Sequence, residues 1–214
     1  MRLIKGLPSS TIFKTGCVLT IGNFDGVHLG HKAVIEKLAE RGEEFGLPVV
    51  VMVFEPQPLE YFSGDKAPPR LSRLREKIIQ LAKLPVDDLV IVRFNNRIAD
   101  YDAAQFIDDI LVTRLNVKHL VIGDDFRFGK ARQGDFALLK EKGEACGYKV
   151  EDTGSFLVTG QRVSSTLIRS ALLNGELDKA KAMLGYPYSV CGRIVHGDKR
   201  GRTIGYPTAN IRMV

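Results

Sequence analysis

The feature that most constrains this chain is a strand, a glycine-punctuated turn, a helix and a second strand in immediate succession. Cys17-Val18-Leu19-Thr20-Ile21-Gly22 is a strand-length, largely apolar run that stops on Gly. A helical period starts at His28 or Leu29, with Ala33, Val34, Leu38 and Ala39 at helical spacing, and Gly46-Leu47-Pro48 ends it. Val49-Val50-Val51-Met52-Val53-Phe54 is then a second buried strand. A helix between two strands carries the chain back along the sheet, so the two strands are expected to be parallel.

The alternation continues. Ser72 to Leu84 predicts a helix and Asp88 to Phe94 a strand. Asp102 opens another helix, with Gln105 in capping-box position. Lys118 to Gly123 predicts a strand, Phe136 to Cys146 a helix, and Tyr148 to Glu151 an extended segment. This order predicts an α/β fold built on an open, doubly wound parallel sheet. Past Gly154 the character changes. Phe156-Leu157-Val158-Thr159 is short and β-like, Ser164 or Ser165 caps a helix that Asn174-Gly175 ends, and Glu176 to Leu184 is one more short helix. Gly185-Tyr186-Pro187 reads as a boundary between a domain of residues 1–185 and a remainder of residues 186–214. That remainder is rich in Gly and β-branched residues and too short to build its own core. From its residues alone it reads as a Gly-rich hairpin placed to touch phosphate.

Composition excludes several classes. With 44% hydrophobic and 26% charged residues the chain is an ordinary globular one. Its longest apolar runs are strand-sized, which argues against a membrane span or membrane partner. The N-terminus has no apolar signal region. Cys17, Cys146 and Cys191 form neither a CxxC pair nor a disulfide framework, so a cytoplasmic location is expected. The net charge of +6 is scattered among acids and no Trp is present, which favours a solvated basic surface over a nucleic-acid site. A monomer or weak oligomer is the expected assembly.

In open α/β sheets ligands bind beyond the carboxyl ends of the strands. Gly22-Asn23-Phe24-Asp25-Gly26-Val27-His28-Leu29-Gly30-His31 sits at such an end. Gly22, Gly26 and Gly30 let backbone approach a ligand, and the helix N-terminus offers free N–H groups to phosphate. His28 and His31, three apart, share a face near the helix start and are suited to donate to an α-phosphate during in-line displacement. The competing reading is half of a metal site. No third His or Cys lies at ligand spacing, since the other histidines are His119 and His196.

Three further segments follow strand or helix boundaries. In Phe54-Glu55-Pro56-Gln57-Pro58, with Phe62 behind it, spacing alone favours structural prolines over a binding role. In Gly123-Asp124-Asp125-Phe126-Arg127-Phe128-Gly129-Lys130-Ala131-Arg132-Gln133-Gly134-Asp135, acids, arginines and aromatics alternate. Phe126 or Phe128 suits stacking, Arg127 or Arg132 suits phosphate, and Asp125 can accept from a ring N–H or a hydroxyl. Arg162-Val163-Ser164-Ser165-Thr166-Leu167-Ile168-Arg169 gathers hydroxyls and arginines at a helix start, which suits β- and γ-phosphates.

Together these segments resemble the bacterial bifunctional riboflavin kinase/FMN adenylyltransferase (FAD synthetase) family. The HxGH of the first is similar to the signature of the nucleotidylyltransferase superfamily, and its longer GxFDGxHxGH form to the flavin branch. FxPxP, GDDFRFG and SSTLIR follow in the family's order, and Gly205-Tyr206-Pro207-Thr208-Ala209-Asn210 resembles the GxPTAN motif that opens its riboflavin kinase module. The resemblance implies a Rossmann-like sheet of the HxGH type, followed by the first strands of an incomplete β-barrel. It implies transfer of adenylate from ATP to FMN, giving FAD and diphosphate, with Mg²⁺ entering on ATP. It reverses the bland reading of FxPxP.

The site it implies has His28, His31, Asp125 and Arg169 as catalytic residues. Gly22, Asn23, Phe24, Asp25, Gly26, Gly30, Arg162, Ser164, Ser165 and Thr166 join the histidines and Arg169 at ATP. Pro56, Pro58, Phe62, Phe106, Arg127 and Phe128 join Asp125 at the flavin. Thr208 and Asn210 are the kinase-module Mg²⁺ contacts. Because the sequence stops at Val214, before the module's catalytic glutamate, no riboflavin kinase activity is expected of it, and the tail is expected to be poorly ordered or paired elsewhere. Two other classes stay open: a nucleotidylyltransferase for another phosphorylated acceptor, and a non-catalytic flavin or nucleic-acid binder.

Overall fold

The computed structural model describes residues 1–9, 12–123, 125–154, 157–158 and 161–212, with backbone alone for residues 157, 158, 161 and 162. Strands β1 (Arg2–Lys5), β2 (Cys17–Ile21), β3 (Val49–Glu55), β4 (Asp88–Arg93), β5 (Val117–Ile122) and β6 (Lys149–Asp152) form one sheet in the order β1-β4-β3-β2-β5-β6. Every pairing in it is parallel. The predicted parallel β2–β3 pair is present, with Val18 opposite Val49 and Ile21 opposite Met52. The chain leaves β2 toward β3 and β4, then returns to lay β5 on the other side of β2. The strand order therefore reverses between β2 and β5, and ligand crevices of open sheets form at that point.

Side chains alternate across the sheet with period two. On one face Leu19, Ile21, Met52, Phe54, Val90, Leu120 and Ile122 pack with Phe106, Ile107, Ile110 and Leu139. On the other, Val51, Val53, Leu89 and Ile91 pack with Phe24, Val27, Ile35 and Leu81, and Val18, Val49 and Val121 pack with Leu38. Helices α1 (Leu29–Phe45) and α3 (Leu74–Leu81) thus cover the same face side by side. Gly46 ends α1 in the left-handed region at φ 63°, as its place before Leu47-Pro48 predicts.

Several boundaries differ from the sequence reading. The helix expected over residues 72–84 is shorter, because Ser72 is held by the turn after β2 and Arg73 serves as N-cap. Pro58 opens a short helix, α2 (Pro58–Ser63), where a rigid loop was expected; proline is favoured in a first turn. After β4, Asn95 caps the short α4 (Asn96–Ala99), and Asp102 and Gln105 do form a capping box on α5 (Ala103–Gln105). The chain then widens into a π-helix over Phe106–Arg114. Strand β1 was missed; it is short, exposed and on the sheet edge, so it lacks a buried strand's apolar run.

After α6 (Phe136–Cys146) and β6 come the paired strands β7 (Leu157–Val158) and β8 (Gln161–Arg162). Phe156 and Thr159 of the expected strand lie outside the described residues. Ser164 caps α7 (Ser165–Leu173) and α8 (Leu177–Leu184) ends on left-handed Gly185. The tail is an antiparallel hairpin of β9 (Arg193–Val195) and β10 (Asn210–Arg212), with α9 (Arg200–Thr203) between them. Among the described residues no helix is long and apolar enough to cross a membrane.

Candidate active site

A cleft of about 780 Å³ opens at the carboxyl ends of β2 and β5, at the reversal point of the sheet. One corner of it is the turn from Gly22 to His31. Two non-glycine residues in that turn, Phe24 (φ 47°) and Val27 (φ 37°), hold left-handed backbone. A β-branched residue there is strained by about 1–3 kcal/mol and persists only where its surroundings over-determine it. They do so through Asp25. Its carboxylate, almost fully buried, accepts from the Leu71 and Ser72 backbone N–H groups at 3.0 Å and from Arg169 at 2.6 Å. The Gly26 N–H donates to Ser72 Oγ (2.9 Å), Ser165 Oγ donates to the Asp25 carbonyl (3.1 Å), and the Tyr186 hydroxyl donates to the Gly26 carbonyl (2.5 Å).

His28 is the N-cap of α1, and its Nδ1 accepts from the His31 backbone N–H at 3.3 Å. That leaves the ring proton on Nε2. The two imidazoles stack with centroids 3.6 Å apart. Burial pushes His28 down to about 4, and burial, reinforced by the charges of His28 and Lys77, pushes His31 well below the ordinary imidazole range. Both rings are neutral near pH 7, so each can present one N–H beside the open N-terminus of a helix. This arrangement suits a developing negative charge better than a metal cation. Among the described residues no group of three or more His, Cys, Asp or Glu is arranged to hold a metal. These residues therefore do not fit a protein-built metal centre.

Opposite this corner stands an aromatic wall. Phe54, Phe94, Phe62 and Phe128 line the cleft with Phe106 and Phe126. Phe62 meets Phe94 edge-on at 5.7 Å, Phe106 meets Phe128 at 5.1 Å, and Phe126 stacks on Phe128 at 5.7 Å. The π-helix starts at Phe106, which brings that ring to the cleft. The loop from Gly123 closes on itself where Phe128 and Gly134 exchange backbone hydrogen bonds. Gly134 is required there, since a Cβ would lie 2.5 Å from the Phe128 ring. Gly30 plays a similar part across the cleft: a Cβ would press on the His28 ring at 3.2 Å and approach the Val163 carbonyl.

Of the residues the sequence proposed, Gly22, Asn23, Phe24, Asp25, His28, Gly30, His31, Pro58, Phe62, Phe106, Asp125, Arg127, Phe128, Ser164 and Ser165 line this one cleft. Gly26, Pro56, Thr166 and Arg169 do not. Gly26 faces Ser72, Thr166 is exposed, and Arg169 bridges Asp25 and the Pro69 carbonyl. Ser164 Oγ is engaged as the α7 cap at 3.3 Å. The Arg162 side chain and Asp124 lie outside the described residues. Thr208 and Asn210 are exposed on the tail, apart from the cleft. Sequence reasoning missed Ser72 and Tyr186, which hold the turn, and the fully buried Lys77. Lys77 carried a readable signal: Leu74, Ile78 and Leu81 place it on the apolar stripe of its helix.

Residues 11–167 match the family model described as FAD synthetase, and residues 184–214 match the one described as riboflavin kinase. A bifunctional riboflavin kinase/FMN adenylyltransferase of Escherichia coli (strain K12) is 53% identical over 212 residues, covering 99% of this chain and 68% of that protein. One from Haemophilus influenzae is 51% identical over 213 residues, covering 100% of this chain and 69% of its own. A crystal structure described as a macrolide-efflux protein from Streptococcus pneumoniae superposes with a TM-score of 0.82 at 29% identity, covering 99% of this chain and 69% of that one. The chain belongs to the bifunctional riboflavin kinase/FMN adenylyltransferase family.

Proposed function

We propose that this cleft joins FMN to ATP, releasing diphosphate and forming FAD, with the two walls dividing the work. The observation that carries this reading is the juxtaposition, in one cleft, of two neutral stacked histidines at a helix N-terminus and a wall of phenylalanines. An FMN phosphate oxygen attacks the α-phosphorus of ATP, and the bond to the β-phosphate bridging oxygen breaks. His28 and His31 donate to the α-phosphate oxygens as charge builds, aided by the first N–H groups of α1. Pro58, Phe62, Phe106 and Phe128 hold the flavin ring, and Asp125 and Arg127 stand at the cleft mouth to position its polar edge or phosphate. Mg²⁺ accompanies ATP and supplies charge neutralisation on the phosphates.

Ser165, Thr166 and Arg169 take the leaving diphosphate. For Arg169 this requires release from Asp25, so α7 shifts when nucleotide binds. We place the domain division after Gly185, and assign Thr208 and Asn210 to the kinase module's Mg²⁺ and ATP site. The free thiols Cys17, Cys146 and Cys191 accord with a cytoplasmic enzyme.

The test is incubation with FMN, ATP and Mg²⁺, followed by chromatography for FAD and a diphosphate assay. FAD and diphosphate are expected in equal amounts. Turnover only with a different phosphorylated acceptor would defeat the flavin assignment.

A further inference from the structure

Helices α1 and α3 lie on one face of the sheet and share an apolar cluster through Ile35 and Leu81. One turn toward the carboxyl edge from those residues stand His31, four before Ile35, and Lys77, four before Leu81. Both helices begin at that edge, so the third residue of α1 and the fourth of α3 come to the same level. The turn binds α3's approach directly, because Asp25 accepts from Leu71 and Ser72. Lys77 is fully buried and its Nζ has no hydrogen-bond partner among the described residues; the same holds for His31 Nδ1. An amine and a ring nitrogen, both buried and unpaired and at one level of two helices that share a cluster, are costly apart, and the ring nitrogen can accept from the amine only if its proton sits on Nε2.

We propose that Lys77 is the positioning partner of His31: its amine donates to Nδ1 through one bridging water and so fixes the ring proton on Nε2 toward the α-phosphate. This rests on the phosphate role given to His31 above. His28 needs no such partner, since the His31 backbone N–H already occupies its Nδ1. The pair then has one logic, in which each Nδ1 is engaged from inside the protein and each Nε2–H is left for substrate. The charge of Lys77 also helps keep His31 neutral, as does His28 stacked on it. Burial pushes the Lys77 amine below its ordinary range; the nearby Asp25, Glu55 and Glu60 oppose that shift and Arg70 adds to it. Leu74 and Ile78, which flank it on α3, pack with the apolar cluster below.

The test is side-chain nitrogen NMR of the full chain, with His31 assigned by a His31→Gln variant, beside steady-state FAD formation. In the unaltered protein His31 should show the Nε2–H tautomer. In Lys77→Met, which keeps length but not the donor, the tautomers should mix and kcat should fall about tenfold or more, with KM for FMN unchanged. Lys77→Gln, which restores an N–H donor, should recover the tautomer. Proton on Nδ1 in the unaltered protein overturns the proposal even if Lys77→Met fails to fold. So does an unchanged tautomer in a folded Lys77→Met. A shifted tautomer with unchanged kcat upholds the Lys77–His31 link and sinks the phosphate role of His31 instead.

Discussion

The two walls of the cleft are built by opposite means. The Gly22–His31 corner is a strained backbone turn clamped by a buried carboxylate, with Phe24 and Val27 in left-handed conformations and Asp25 tied to the chain just before α3 and to α7. The aromatic wall, apart from Phe54 and Phe94 at the strand ends, is made of side chains on short elements: α2, the start of the π-helix, and a loop closed by one β-bridge. The first is buried and over-determined, and the second is partly open, with Phe62 66% exposed. A charged group that must be met within a few tenths of an ångström needs the former. A flat apolar ring, which contributes mainly by area, is served by the latter.

The sharpest way to break this contrast is at Asp25. Asp25→Ala strands the Arg169 guanidinium and the Leu71 and Ser72 amides in a buried setting, and should cost about 3–5 kcal/mol of folding stability. Urea unfolding measures this; a loss below about 1 kcal/mol would mean that the turn holds itself. Next, His31→Ala should lower kcat about 10²-fold or more while leaving FMN affinity nearly intact. An unchanged kcat would remove the histidine from the chemistry. On the other wall, Phe62→Ala should leave the melting temperature in place and raise KM for FMN about fivefold, as the loss of about 1 kcal/mol of aromatic contact does. A large loss of stability there would erase the distinction between the walls.

A different kind of effect is expected on pH. His28 is pushed down to about 4 by burial, against an ordinary 6.5, so the unfolded chain binds more protons between those values. Its contribution to stability is therefore full above about 6.5 and is lost progressively as pH falls toward 4. The urea midpoint should decline over that window in the unaltered protein and decline less in His28→Gln.

Legibility in the sequence follows the same division. The sheet (apart from β1), α1, α6 and the α7 cap were readable because each is local: an apolar strand run, helical spacing, a capping serine, a glycine stop. The HxGH segment was readable as a turn into a helix start for the same reason. What could not be read was the clamp. Ser72, Arg169 and Tyr186 meet the turn from 46 to 160 residues away, and their pairing depends on how α3, α7 and the chain after α8 pack. Arg169 was assigned to diphosphate by its motif, yet in this structure it holds Asp25. The π-helix was hidden because helical spacing in a short segment does not separate 3.6 residues per turn from a wider coil.

Tyr186 is the first residue past Gly185, and its hydroxyl rests on the Gly26 carbonyl, two residues from His28. Five residues on, the Cys191 backbone N–H donates to Glu76 on α3, next to Lys77. The stretch after α8 is therefore stitched at two points, to the turn and to the helix behind it. The seat of the paired imidazoles thus leans, through single hydrogen bonds, on chain that comes more than 150 residues after it.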